Sequence, residues 1–173
     1  AGLAKKLTWK ASTHVNSVDV EVFKFMKDSG CYLIELGIES GDPDILKFMH
    51  KGVTIEKILK VRQDAKAAGI PFGALFILGH PNETLRTAWR TLNLAVRLNS
   101  DLTILGIMVP FPGTRIGEMA KRGEGGYRLI AKNWNDYGKQ HGHAVEMQTL
   151  SRRQLELLQG VGYIRVLLEN GRI

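Results

Sequence analysis

Residues 31–44 read CYLIELGIESGDPD, and this stretch decides the fold. Cys31 to Ile38 is an almost unbroken apolar run of strand length. A run without polar alternation belongs to a strand covered on both faces, as in a parallel sheet packed with helices. The run closes on Glu39, flanked by Gly37 and Gly41, and then enters an acidic turn. A carboxylate between two glycines at the end of a buried strand is either the acid of a tight turn or the rim of a ligand site.

The same rhythm extends in both directions. Upstream, Leu7 to Thr13 reads as a strand. Ser17 or Asp19 can cap a helix with Val22, Phe23 and Met26 on its apolar face, ended by Gly30. Downstream, Thr54 caps a helix with Ile55, Ile58, Leu59 and Ala65 on one face, stopped by Gly69 and Pro71. Phe72 to Gly79 is a third strand. Asn82 caps a third helix with Leu85, Trp89, Leu92 and Val96 in line, and Leu102 to Val109 is a fourth strand. The order predicts an α/β fold: an incomplete parallel (β/α) barrel of about four βα units, its strands in sequence order and its helices on the outer face. An exposed edge near residues 7–13 would invite pairing between copies. After Thr114 the pattern breaks. Residues 115–150 read as irregular, with a short helix from Ile116 to Lys121. Ser151 caps a final helix through Leu168, weakened by Gly160 and Gly162. The expected division is a barrel arc over residues 1–125, then an irregular segment and C-terminal helical tail over residues 126–173.

Composition narrows the classes. The 173 residues are 44% hydrophobic, which suits one domain with a real core. No apolar run approaches the roughly 20 residues of a membrane span. The opening AGLAKKLTWK lacks the apolar stretch of a signal peptide, so a cytoplasmic location is expected. Cys31 is the single cysteine, which excludes an intrachain disulfide. The net charge of +7 is dispersed, with short clusters at Lys121-Arg122 and Arg152-Arg153 and no basic run interleaved with aromatics. It reads as a solvated surface, and nucleic acid is not an expected partner. His141 and His143 flank Gly142, but two ligands do not make a metal site, and a solvated loop is the better reading. Trp134 and Tyr137 are expected to pack the tail onto the barrel edge.

Ligands of parallel α/β folds bind at the carboxyl ends of strands. Those ends are Thr13–Asn16, Gly37–Gly41, Gly79–Thr84 and Val109–Thr114, all rich in glycine, proline or polar residues, whereas the opposite ends are bland. Each has an ordinary reading as a turn or a helix cap. Together, on one rim, they point to a functional face.

In that order, GIESGDPDILKFMHKGVT, GIPFGALFILGHPNET and VPFPGT resemble the later half of a radical S-adenosylmethionine (SAM) core. More narrowly, they are similar to the cobalamin-associated branch with anaerobic magnesium-protoporphyrin monomethyl ester cyclases and B12-dependent methyltransferases. The resemblance spans residues 7–125. It implies a partial barrel that holds SAM and a [4Fe–4S] cluster, with cobalamin in an upstream domain as a further option. The full-length protein would cleave SAM reductively and abstract hydrogen from a small-molecule substrate, a tetrapyrrole by the cyclase resemblance. The family's CxxxCxxC cluster loop is absent here. Cys31 opens a strand at the wrong end to replace it. The first strand here would match the family's third, so the chain is expected to be a fragment, inactive alone, with no metal ligands of its own.

The resemblance also implies site residues. The family's ribose-contacting residue matches Glu39, with Ser40 beside it. The basic residue that reaches the SAM carboxylate matches Lys51. The fifth-strand G-x-I-x-G-x-x-E element matches at Ile77 and Gly79, but Leu75 replaces its first glycine and Glu83 falls one residue late. Val109 and Pro110 match the adenine-packing segment. His14 and His80 are expected to line the substrate cavity. The competing reading is a non-enzymatic α/β module that binds a partner through its basic surface. A nucleotide-binding enzyme is weaker, because neither a Walker A sequence nor a complete GxGxxG is present.

Overall fold

The computed structural model describes residues 2, 3, 6–138 and 143–172. Four strands form one parallel sheet in sequence order: β1 (Trp9–His14), β2 (Cys31–Glu39), β3 (Phe72–Leu78) and β4 (Leu102–Ile107). Helix α1 (Val20–Asp28) joins the first pair of strands. Helices α2 (Pro43–Phe48) and α3 (Ile55–Ala68) join the second, and α4 (Leu85–Leu98) the third. Beyond β4 lie α5 (Arg115–Arg122), β5 (Tyr127–Leu129), β6 (Val145–Met147) and α6 (Arg152–Glu169). This is the expected arc of a parallel barrel with a C-terminal helix.

Local signals explain most of the boundaries. The Asp19 carboxylate accepts from the Val22 N–H and starts α1, so Asp19 and not Ser17 is the cap. Thr54 does the same for α3, which ends on Gly69 at φ 67°. Alternate strand residues then divide the sheet. Ile34, Leu36, Ile38, Phe72, Ala74 and Phe76 pack with Phe23, Ile58, Val61, Leu92 and Ala95 in the core beneath the helices.

Four details depart from the sequence reading. First, α4 starts on Thr84, whose hydroxyl accepts from the Thr87 N–H; Asn82 lies in the preceding turn at φ 60°. Second, α4 buries Ala88, Thr91, Leu92, Ala95 and Leu98, while Leu85 and Trp89 face outward. Alanines let the helix approach the sheet closely, which a tryptophan would prevent. Third, GDPDILKF hides a short helix: Asp42 accepts from the Asp44 and Ile45 N–H groups and Pro43 occupies its first turn. Six residues are too few to display a helical period. Fourth, residues 115–150 contain the small antiparallel pair β5–β6.

Helix α6 runs unbroken through both glycines. A Cβ on Gly162 would stand 2.5 Å from Leu105 Cδ1 and 2.7 Å from Leu92 Cδ2. Glycine therefore lets α6 lie directly against β4 and α4. The Leu105 N–H donates to the Tyr163 hydroxyl at 3.0 Å, so α6 also blocks the β4 edge. The outer edge of β1 has no strand partner among the described residues. No helix among them is long and apolar enough to cross a membrane. The His141–His143 pair falls outside the described residues at His141.

Candidate functional site

Residues paired across parallel strands point to the same face. One row of the concave face is Ser12, Glu35, Gly73 and Leu102, and the next is His14, Gly37, Leu75 and Ile104. The face is thus polar over β1 and β2 and apolar over β3 and β4. In the polar half Glu35 accepts from Ser12 at 2.8 Å and pairs with Lys10 at 3.2 Å, and these two partners hold its carboxyl below the usual range.

The carboxyl end of β2 is where the two halves meet. The register slips between Gly37 and Glu39, a bulge that re-aims the last side chain. Glu39 sits at φ 69°, and the Ser40 N–H donates across it to the Ile38 carbonyl at 3.0 Å. This is a three-residue turn centred on a glutamate in the left-handed region, a costly conformation outside glycine. Strain of this kind gathers at functional sites. The turn sends the Glu39 carboxylate to Lys51, whose Nζ lies 3.0 Å from Oε1. The side chains are only 22% and 16% exposed. Glu39 Oε2 has no hydrogen bond among the described residues, and Lys51 retains two of its three donors.

His14 supports this pair from below. Its Nδ1 accepts from the Asn16 N–H at 3.1 Å, which leaves the proton on Nε2 to donate to the Lys51 carbonyl at 3.0 Å. Asn16 donates to the Gly52 carbonyl at 2.8 Å. His14 therefore positions the Lys51 segment through its backbone.

Ser40 points the other way. It is fully buried, its hydroxyl 3.1 Å from Thr91 Oγ1 and accepting from the Asp42 N–H at 3.1 Å. A Cβ on Gly41 would stand 2.4 Å from the Arg90 carbonyl oxygen and 2.7 Å from Thr91 Cα. Ser40 and Gly41 pin the β2–α2 turn onto α4, and Asp42 adds an ion pair to Arg90 at 2.6 Å. Ser40 is not brought to the groove.

At the end of β3, Gly79 turns at φ 87°. The Glu83 carboxylate caps this turn, accepting from the Gly79 N–H and, at 3.3 Å, from the His80 N–H. The Tyr127 hydroxyl donates to the Gly79 carbonyl at 2.7 Å. Glu83 is fully buried, and burial raises its pKa to about 7 against the lowering effect of the two N–H groups. His80 is buried too, so it does not line an open cavity, and burial lowers its pKa. Its Nε2 lies 3.4 Å from the Glu39 carbonyl, which ties the β3 turn to the strained β2 turn.

The apolar half forms a groove of about 490 Å³ beside Glu39. Leu75, Ile77, Ile104, Gly106, Met108, Val109 and Phe111 line it. Val109 lines the groove, and the buried Pro110 bends the chain behind it. Ile104, Gly106, Met108 and Phe111 were missed. The usable signal was the alternation of strand β4, which places Ile104 and Gly106 on the face of Leu75 and Ile77. A groove with an acid–base pair at one end and aliphatic walls at the other suits a ligand with a polar diol or amino-acid end and a flat apolar ring.

Residues 3–95 match the family model described as the Radical SAM superfamily. The chain belongs to that superfamily. It is 36% identical over 131 residues to an uncharacterized methyltransferase of Pyrococcus horikoshii, covering 76% of this chain and 28% of that one. It is 28% identical to the bacteriochlorophyllide d C-12(1)-methyltransferase of Chlorobaculum tepidum, covering 81% and 30%. It is 31% identical to the anaerobic magnesium-protoporphyrin IX monomethyl ester cyclase of Cereibacter sphaeroides, covering 65% and 19%. The radical SAM methyltransferase TsrM of Kitasatospora setae, solved with cobalamin and a [4Fe–4S] cluster, superposes with a TM-score of 0.64. That likeness covers 96% of this chain and 37% of TsrM at 18% identity, and it establishes the shared fold. The chain thus spans less than a third of the curated relatives it matches. The resemblance to the radical SAM core and its tetrapyrrole-related and methyltransferase branches holds.

The family implies SAM and an iron–sulfur cluster, and the two fare differently here. Among the described residues Glu39 Oε2 and two donors of Lys51 have no partner, and together with the adjoining aliphatic groove they fit SAM. The cluster does not fit. Cys31 is the single thiol, buried at the amino end of β2 and directed at the Leu33 carbonyl at 3.4 Å. Among the described residues no group of three or more His, Cys, Asp or Glu could hold a metal ion.

Proposed function

We propose that this chain supplies the SAM-holding wall of a radical SAM enzyme. The observation that carries the reading is the Glu39–Lys51 pair, held by a strained turn at the mouth of an apolar groove. Glu39 Oε2 accepts the ribose hydroxyls, a role suited to a carboxylate with free lone pairs. Lys51 keeps its bond to Glu39 and pairs a second donor with the SAM carboxylate. Ile77, Val109 and Phe111 shield the adenine from water, with the Gly79 turn and its Glu83 cap supporting that wall. Ser40, Pro110, His14 and His80 act through the backbone that carries these groups. SAM, when bound, supplies a 5′-deoxyadenosyl or methyl group to the reaction. The cluster that starts radical chemistry needs cysteines this chain lacks, so no step is assigned to its residues.

Residues 1–125 form the barrel arc in this reading, and residues 126–173 close its flank. The substrate is a small molecule, a tetrapyrrole that is methylated or cyclised, in the cytoplasm. The names of two relatives support that choice. Cobalamin use follows the TsrM likeness. The open β1 edge offers a pairing surface between copies. The test is equilibrium binding of SAM to the intact protein. Glu39→Gln and Lys51→Met should each weaken it about tenfold or more, as expected for loss of a charge-assisted contact. Unchanged affinity in both variants would remove the reading.

A further inference from the structure

The C-terminal segment reaches the barrel at two places. Tyr137 stacks on Phe111 with ring centroids 6.4 Å apart, as the sequence implied, whereas Trp134 stands 72% exposed. The second place is the turn after β3, which the segment encloses. The Asn82 N–H donates to the Gly125 carbonyl at 2.8 Å, the Tyr127 hydroxyl to the Gly79 carbonyl at 2.7 Å, and the Thr149 hydroxyl to the Glu83 carbonyl. His80 and Glu83 are fully buried there. Each keeps one buried atom without a partner among the described residues, His80 Nδ1 and Glu83 Oε1. An unpartnered polar atom in a dry interior is costly, and two in one turn call for a common cause.

The chemistry of the two atoms is complementary. His80 Nε2 faces the Glu39 carbonyl at 3.4 Å, so the ring proton sits on Nε2 and Nδ1 is left as an acceptor. Glu83 Oε2 already accepts from the Gly79 and His80 N–H groups, so a proton on this carboxyl belongs to Oε1. Burial favours the protonated carboxyl and the neutral imidazole. An acid O–H and a ring acceptor therefore share one turn.

We propose that Glu83 and His80 share one proton through a single bridging water, and that this proton holds the Glu39 turn in the form that binds SAM. The inference rests on the SAM reading for its consequence, and on the two unpartnered atoms for the proton itself. The two atoms make no direct hydrogen bond, and a buried water is the usual bridge between such groups. With the proton in place, Glu83 Oε1 donates toward Nδ1 and Nε2 donates to the Glu39 carbonyl. Each bond polarises the next, so a donor at Nδ1 strengthens the long contact to the strained turn. Without the proton, two acceptors oppose each other and that contact weakens. The charged and titratable groups around the pair are otherwise engaged. Asp42 pairs with Arg90, and its charge raises the Glu83 pKa further. The Tyr127 hydroxyl donates to Gly79. The Glu39 carboxylate pairs with Lys51, and its charge favours a protonated His80. The protonated pair binds SAM more tightly, so affinity should fall as pH rises through about 7.

The test is SAM affinity of the intact protein from about pH 6 to about pH 8.5, compared between wild type and Glu83→Gln. The Gln amide donates from the Oε1 position at every pH. Across this range wild type should lose roughly fivefold in affinity relative to the variant, the worth of one neutral hydrogen bond. Comparison of the two proteins cancels the ionisation of SAM's own amino group. A second readout needs no SAM: the ring nitrogen NMR resonances of His80. The Nδ1 resonance of wild type should move over the same pH range as its donor is lost, and that of Glu83→Gln should stay fixed. Parallel SAM profiles in the two proteins would overturn the inference. So would a wild-type Nδ1 resonance that stays fixed, or the same movement in Glu83→Gln. The SAM reading fails separately, through unchanged SAM affinity in Glu39→Gln and Lys51→Met, and the His80 resonances still test the shared proton in that case.

Discussion

A Cβ on Gly37 would stand 2.6 Å from Oε1 of Glu39 and 3.1 Å from Nζ of Lys51. The glycine two residues before the acid is therefore the space in which the ion pair lies. Gly37→Ala should displace that pair with little effect on the core, because the colliding atoms are side-chain ends. We expect roughly tenfold weaker SAM binding with an unfolding free energy within about 1 kcal/mol of wild type. Calorimetric titration beside a denaturant melt checks both. Normal SAM affinity in this variant would contradict the proposed site.

The turn at Glu39 carries backbone strain that its side chain does not relieve. Glu39→Gly and Glu39→Ala both remove the carboxylate and the bond to Lys51. Only glycine is comfortable at φ 69°. The glycine variant should be the more stable of the two by about 1 kcal/mol, while both lose SAM. Equal melting curves would show that the turn relaxes once the ion pair is gone.

Gly41 and Ser40 should behave differently from Gly37. Gly41→Ala drives a methyl into the backbone of Arg90 and Thr91, and we expect destabilisation of about 3 kcal/mol or more. Ser40→Ala leaves Thr91 and the Asp42 N–H without their buried partner and should cost about 1–2 kcal/mol. SAM affinity of folded Ser40→Ala should equal wild type. A loss of affinity without a loss of stability would return Ser40 to the site.

Glu83 makes stability depend on pH. Its folded pKa of about 7 lies above the ordinary carboxyl value of 4.5, so the folded state holds the proton more tightly. Below 4.5 both states are protonated and nothing is lost. As pH rises from 4.5 to about 7 the unfolded carboxyl ionises first, and folding loses stability, by about 3 kcal/mol in total. Above that pH the loss is complete and constant. Glu83→Gln keeps an acceptor for the Gly79 and His80 N–H groups but cannot ionise. Its melting temperature should gain on wild type across this window and run parallel to it above. Parallel curves throughout would show that Glu83 is ionised and compensated in the fold.

The sequence by itself determined the parallel arc. Continuous apolar strands, caps at Thr54 and Ser151 and the stop at Gly69 are local signals, and each acts on its neighbours in the chain; for α1 the sequence offered Ser17 or Asp19, and the structure chose Asp19. The sequence also located the rim, because glycine and polar residues gather at the strand ends. It missed α2, too short to show a period, and misplaced the start and face of α4, where a real cap at Thr84 competes with a plausible one at Asn82. Tertiary structure alone decided which rim residues face the groove. Glu39 and Ser40 are adjacent, yet the bulge and turn send one to Lys51 and the other to Thr91. Side-chain direction there depends on register against β3 and on how closely α4 approaches Gly41. The same holds for Phe111, Tyr137 and Trp134, which are up to 26 positions apart in the numbering yet adjoin in space: contacts between distant segments leave no period in a sequence, and only packing brings them together.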